Sequence, residues 1–134
     1  MGSAGDDKKV TYLLEELGFD GAFNYKKEKP SDALPRLCPD GIGTEAEEQM
    51  LKLDVYWENV GGETLDAVLV NANNFARIVA CGMISSYGKT DPYGVKNLML
   101  IVGKRIRFEG FIQADLRSQY YAVLSPTTQL ILGL

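Results

Sequence analysis

Between Asp54 and Tyr87 the spacing of apolar positions changes period twice, and those changes mark the unit around which the chain is organised. Asp54-Val55-Tyr56-Trp57 is short, aromatic and β-branched, the composition of a strand. Glu58-Asn59-Val60-Gly61-Gly62 follows as turn chemistry. From Glu63, Leu65, Val68, Leu69 and Ala72 recur at the i, i+3, i+4, i+7 spacing of one helical face. Ile78-Val79-Ala80-Cys81 is then a continuous apolar run, the signature of a strand buried on both faces of a parallel sheet. Strand, helix and strand in this order predict a βαβ crossover.

The same reading supplies its neighbours. Asp6 and Asp7 stand where an N-cap and a first-turn acid belong, Val10, Leu13, Leu14 and Leu17 mark a helical face, and Gly18 is the natural stop. Ala22 to Tyr25 reads as a strand and Ser31 to Leu37 as a short helix ended by Cys38-Pro39-Asp40-Gly41. Gly43 to Leu53 predicts a surface helix, with Thr44 and Glu47 as a capping box. Val95 to Val102 predicts a helix, Arg105 to Phe111 a strand, and Asp115 to Leu124 a further helix before an apolar tail. Alternating strands and helices define an α/β layer fold with a mostly parallel sheet.

Composition narrows the chemistry. The 134 residues suffice for one domain with a core, and the net charge of −4 argues against a nucleic-acid partner. No stretch is long and apolar enough to span a bilayer, and the N-terminus lacks the order of a secretory signal. Cys38 and Cys81 lack metal-type spacing and read as reduced thiols of a cytoplasmic protein. With no histidine in the sequence, Ser-His-Asp and Cys-His nucleophiles and His-based zinc sites are excluded, and no metal site is expected. Proton transfer falls to Tyr, Lys, Cys or a carboxylate, or the hard chemistry falls to a cofactor.

Ligands of open α/β sheets bind beyond the carboxyl ends of the strands. Those ends are Gly2 to Asp7, Tyr25 to Lys27, Glu58 to Gly62, Cys81 to Tyr87 and Phe111 to Gln113. The segments there, GSAGDDKKV, LGFDGAFNYKKE, DVYWENVGGETLDAVL, RIVACGMISSY and KRIRFEGFI, resemble in order the cofactor domain of one family. It is the zinc-independent medium-chain dehydrogenases/reductases, the NADP-dependent alkenal/prostaglandin reductases that reduce alkene double bonds with NADPH. The resemblance implies a Rossmann-type doubly wound parallel sheet over residues 1–112 and a small-molecule alkenal or enone substrate.

By position, the resemblance assigns Lys9 to the 2′-phosphate of NADPH, beside Gly5, and Tyr25 to the adenosine phosphate. It puts Asn59 and Gly61 near the nicotinamide ribose, Cys81, Gly82, Met83, Ile84 and Ser85 along the nicotinamide, and Phe111, Ile112 and Gln113 on a further wall. Tyr87 matches the tyrosine that returns a proton to the substrate carbon after hydride transfer. A lysine beside a glycine turn at a helix N-terminus is a ready anion site. Asp6 departs from the serine common in the family, and a carboxylate there repels a phosphate.

The resemblance begins at the end of the family's second strand, so the first strand, its glycine fingerprint and most of the second are not in the sequence. The expectation is an incomplete sheet in which strand Ala22–Tyr25 loses its only neighbour. Residues 43–53 read as an insertion and 113–134 as a divergent tail, together suggesting a truncated form. Two functions stay open: an NADPH-dependent enone reductase, or a non-catalytic nucleotide-binding or interaction fragment that needs a partner chain, such as a second copy in a homodimer.

Overall fold

The computed structural model describes residues 1–38 and 53–120, with the side chains of 117–120 excepted. The predicted helix at 43–53 and the turn after Cys38 therefore lie outside the described residues, apart from Leu53. Five strands alternate with helices: β1 (Gly2–Ala4), α1 (Asp7–Glu15), β2 (Ala22–Asn24), α2 (Pro30–Leu37), β3 (Leu53–Glu58), α3 (Gly62–Asn71) and β4 (Ala72–Ala80). A 3-10 turn at Ile84–Ser86, α4 (Met99–Gly103), β5 (Arg107–Gly110) and α5 (Gln113–Tyr120) complete the order.

Among the described residues every strand pair is parallel, as the βαβ pattern requires. They form two sheets, β1-β2 and β3-β4-β5. The expectation that the second of these strands would lose its only neighbour is corrected: Gly2, Ser3 and Ala4 pair with Ala22, Phe23 and Asn24. Tyr25 N–H donates to the Ala4 carbonyl (3.1 Å), extending that ladder by one bond. Three residues are enough because a parallel ladder needs only alternate backbone groups in reach.

The α1 boundaries follow from caps. Asp6, extended at φ −154°, accepts from the Lys8 amide at 2.8 Å, and Gly18 takes φ +65° just past the end. Around α3 the periodicity is realised in full: Leu65, Val68, Leu69 and Ala72 are all buried. They pack with Leu34 of α2 and with Ala76, Ile78 and Ile106 into one core. Lys104 closes the far end of α3, its Nζ donating to the carbonyls of Leu69 (2.9 Å), Val70 (2.6 Å) and Ala72 (2.9 Å). These are carbonyls that a helix C-terminus leaves unpaired.

Three expectations are revised. The helix predicted at Val95–Val102 is only Met99–Gly103. The preceding residues are diverted because the buried Asp66 carboxylate of α3 accepts from the amides of Lys96 and Asn97 and from the Tyr93 hydroxyl. The strand ending at Ala80 begins at Ala72, with a register irregularity opposite Leu53–Val55. Nor is it buried on both faces: Ile78 is 1% exposed, but Val79 is only half-buried. The row Tyr56–Ile78–Phe108 faces α3, whereas Val55, Trp57, Arg77 and Arg107 lie on the opposite side and are exposed.

Candidate functional site

All five predicted strand ends are brought to carboxyl edges, in two groups. The first stands on the β1-β2 sheet. A Cβ placed on Gly5 would come within 2.6 Å of Tyr25 Oη, so only glycine allows this approach of backbone to ring. Gly5 and Tyr25 are thus adjacent. Lys9 is exposed on the first turn of α1, while the lysine whose stem lies against Gly5 is Lys26, its Cε 3.2 Å from that Cβ position. Lys27 pairs with Asp7, which also accepts from Asn24 Nδ2 at 2.6 Å. The Asp6 carboxylate is engaged with the Lys8 amide as the α1 cap.

The second group is built by two segments zipped together. The turn after β3 (58–62) and the loop after β4 (81–87) share four backbone bonds. Cys81 N–H (3.0 Å) and Gly82 N–H (3.1 Å) donate to the Glu58 carbonyl, Ile84 N–H to Asn59 (2.9 Å) and Ser85 N–H to Val60 (2.9 Å). Gly61 and Gly62 have φ +73° and +55°. A Cβ on Gly61 would sit 3.0 Å from Met83 Cβ, and one on Gly62 3.0 Å from Ser85 Oγ. Both glycines are required for conformation and for contact.

On this frame Asn59, Cys81, Gly82 and Tyr87 converge. The Cys81 thiol donates to Asn59 Oδ1 at 2.7 Å. Tyr87 Oη accepts from the Met83 amide at 3.2 Å, and its hydroxyl is 3.2 Å from where a Gly82 Cβ would be. A crevice of 560 Å³ opens here, lined by Cys81, Gly82, Met83, Tyr87, Phe111 and Ile112 among others. Trp57 packs edge-on against Phe111, their ring centres 5.6 Å apart. Gln113 opens α5 and is exposed. A second crevice, of 390 Å³ between α2 and α3, contains none of the expected site residues.

Sequence reasoning passed over Glu58. It is fully buried, and its Oε1 accepts from the amides of Val60 and Gly61, the latter at 2.7 Å. Burial raises its pKa, against the opposing pull of the Gly61 and Val60 amides and the Tyr56 hydroxyl. Burial and the Glu58 charge likewise push the Tyr56 hydroxyl far up. The available signal was an acid two residues after Tyr56, on the inward side of the strand. Among the described residues no group of three or more His, Cys, Asp or Glu side chains could hold a metal ion, and no helix is long and apolar enough to cross a membrane.

At the first group the Tyr25 ring closes over Gly5, and at the second a mainly apolar crevice carries the Cys81 thiol and the Tyr87 hydroxyl. Parallel strands, crossover helices and a crevice at the strand ends define part of a Rossmann-type nucleotide-binding domain. Residues 1–128 match the family model described as zinc-binding dehydrogenase, and the chain belongs to that family. It is 50% identical over 116 residues to the NADP(+)-dependent 2-alkenal reductase of Nicotiana tabacum, covering 86% of this chain and 31% of that protein. Against (+)-pulegone reductase of Mentha piperita the identity is 41% over 133 residues, 98% of this chain and 34% of the relative. The crystal structure of CurA in complex with NADPH from Vibrio vulnificus superposes with a TM-score of 0.70 at 32% identity, over 98% of this chain and 38% of that one. The resemblance to the zinc-independent medium-chain reductases therefore holds, and the chain spans about a third of the length of these curated relatives.

Proposed function

We propose that this chain forms the NADPH-facing part of an oxidoreductase that reduces the carbon–carbon double bond of an α,β-unsaturated aldehyde or ketone. The observation that carries the reading is the zipped pair of strand ends, which sets Cys81, Gly82 and Tyr87 on one crevice with Asn59 held behind them by the Cys81 thiol. Its relatives include proteins named as 2-alkenal, pulegone and curcumin reductases.

When bound, NADPH supplies the hydride that is added to the β-carbon of the enone. Asn59, Gly61 and residues Cys81 to Ser85 would hold its nicotinamide end, with Phe111, Ile112 and Gln113 as a further wall. Gly5 and Tyr25 would hold the adenosine end, with Lys9 opposite the 2′-phosphate. Tyr87 then gives its phenolic proton to the α-carbon and regains one from solvent, so the product gains two hydrogens in all. The Met83 amide donates to Tyr87 Oη and so orients the proton that is given up. Residues 1–112 form the cofactor-binding part, residues 43–53 an insertion and 113–134 a divergent tail. The setting is cytoplasmic, which keeps Cys38 and Cys81 as the free thiols they are here.

Purified chain mixed with NADPH and a short alkenal tests the reading. Loss of reduced-nicotinamide absorbance that depends on the alkenal supports it, and no loss with folded protein removes it.

A second reading is favoured by the separation of the two sheets and by the exposed Val55 and Trp57 on the open face of β3. Parallel sheets are covered on both faces in stable folds. In this reading the chain binds nucleotide without turnover and is completed by a partner chain, a homodimer being the simplest case. A sizing run showing only monomer counts against it.

A further inference from the structure

We propose that Glu58 is the positioning residue of this site: one side chain and one carbonyl of the same residue fix the gap between Asn59 and Tyr87. The inference rests on the reading of that crevice as a cofactor site, but its geometry stands without any ligand.

Glu58 is the last residue of β3 and lies on the face directed towards α3, on the same side as Tyr56. Its carboxyl folds back so that Oε1 accepts from Val60 and Gly61, closing the turn from inside. Its carbonyl points sideways and takes the Cys81 and Gly82 amides at 3.0 and 3.1 Å, with the Cys81 thiol at 3.2 Å. One residue therefore ties the 58–62 turn to the 81–87 loop, and that loop forms one wall of the crevice. Moving its backbone moves the Asn59 side and the Tyr87 side together.

A surface turn would not need this. Glu58 is 0% exposed, and its second oxygen, Oε2, is buried without a hydrogen-bond partner among the described residues. Burying a carboxyl with one unsatisfied oxygen is costly, and an apolar residue would fill the same volume more cheaply. What an apolar residue cannot do is accept two converging amides. Those amides belong to a turn with left-handed Gly61 and Gly62, which a Cβ would drive into Met83 and Ser85. Tyr56 on its own strand faces the carboxyl, while the Cys81 thiol meets Glu58 at its carbonyl and also touches Asn59. The residue best placed to set Asn59 against Cys81 and Tyr87 thus touches the site only from behind.

The test uses Glu58→Gln and Glu58→Ala in the full chain, with Glu58→Asp as the variant to read should the alanine protein fail to fold. Gln keeps a reaching oxygen acceptor, whereas Ala has none and Asp is one methylene short. Amide hydrogen exchange is followed residue by residue, and NADPH affinity is measured by titration. Glu58→Gln is expected to keep the protection of Val60, Gly61, Cys81 and Gly82 and to bind NADPH within about twofold of the parent. Glu58→Ala or Glu58→Asp is expected to lose protection at those four amides, keep it in α1 and α3, and weaken NADPH by about tenfold or more. Unchanged protection at the four amides in Ala or Asp overturns the proposal, as does loss spread evenly through the core. If the parent binds no NADPH, the cofactor reading fails, while the exchange pattern still decides the role of Glu58.

Discussion

Tyr87 Oη accepts a hydrogen bond from the Met83 amide at 3.2 Å, which leaves its own O–H to donate into the crevice beside Gly82. A hydroxyl has one proton and two acceptor positions, so an amide that donates to it orients the proton away from that amide. Tyr87→Phe keeps the ring and removes the proton. The expected result is a fall in the rate of enone reduction by about 10²-fold or more, with NADPH affinity retained. Equal turnover by Tyr87→Phe would remove Tyr87 from the mechanism.

Gly61 joins a left-handed backbone at φ +73° to a close contact with Met83. Gly61→Ala should therefore cost about 1–2 kcal/mol from conformation alone, and it should disturb the loop at Met83 as well. Chemical denaturation gives the stability change, and the amide shift of Met83 reports the contact. An alanine variant with parental stability and an unmoved Met83 signal would mean that the turn is looser than described.

Lys104 makes three hydrogen bonds to carbonyls at the end of α3. Lys104→Met preserves much of the stem but none of the donors. It should destabilise by about 1–3 kcal/mol, the cost of leaving such acceptors unpaired. A melting temperature equal to the parent's would show that water replaces the ammonium without loss.

Two buried carboxyls act on stability in opposite directions with pH. Burial raises Glu58 above the usual range of about 4. Its contribution is therefore complete below that value and is lost as pH rises through the folded pKa. For Asp66, burial also favours the neutral form, but the hydrogen bonds from Asn97, Tyr93 and Lys96 outweigh it and hold the carboxyl low. Its contribution is present above about 4 and is lost as pH falls through the lower folded value. Glu58→Gln should flatten the decline on the rising side and Asp66→Asn the decline on the acid side. Denaturation midpoints across the acid-to-neutral range check both, and unchanged slopes in either variant contradict its assignment.

Much of the arrangement is legible in the sequence because it rests on local signals. The cap at Asp6, the stop at Gly18 and the face Leu65–Val68–Leu69–Ala72 depend on residue type and spacing alone. So does the placing of ligands at strand ends, once strand and helix alternate. The shortened α4 was not legible, because its amides are taken by Asp66 about thirty residues earlier in the chain. The length of β4 was hidden for another reason. Asn73, Asn74 and Phe75 have no strand period, and Phe75 adopts φ +64° under the Arg105 guanidinium, 4.5 Å from its ring.

The site divides in the same way. Gly5 with Tyr25, and Asn59 with Cys81 and Tyr87, stand at strand ends that topology brings together, so their grouping could be anticipated. Glu58 could not be assigned a role from spacing, since its importance lies in two amides at the next turn and two on another strand's loop. Likewise, no pattern distinguishes Lys26 from Lys9, although it is Lys26 that lies against Gly5. Tertiary packing decides which of neighbouring lysines meets a glycine.

The central claim is that the zipped turn and loop receive the nicotinamide end of NADPH. A residue-by-residue NMR titration of the purified chain with NADPH addresses it most directly. The amides of Asn59, Gly61, Cys81, Gly82 and Met83 are expected to shift together and saturate with one affinity, accompanied by Gly5 and Tyr25. Shifts absent from the 58–62 turn and the 81–87 loop at saturating NADPH would contradict it.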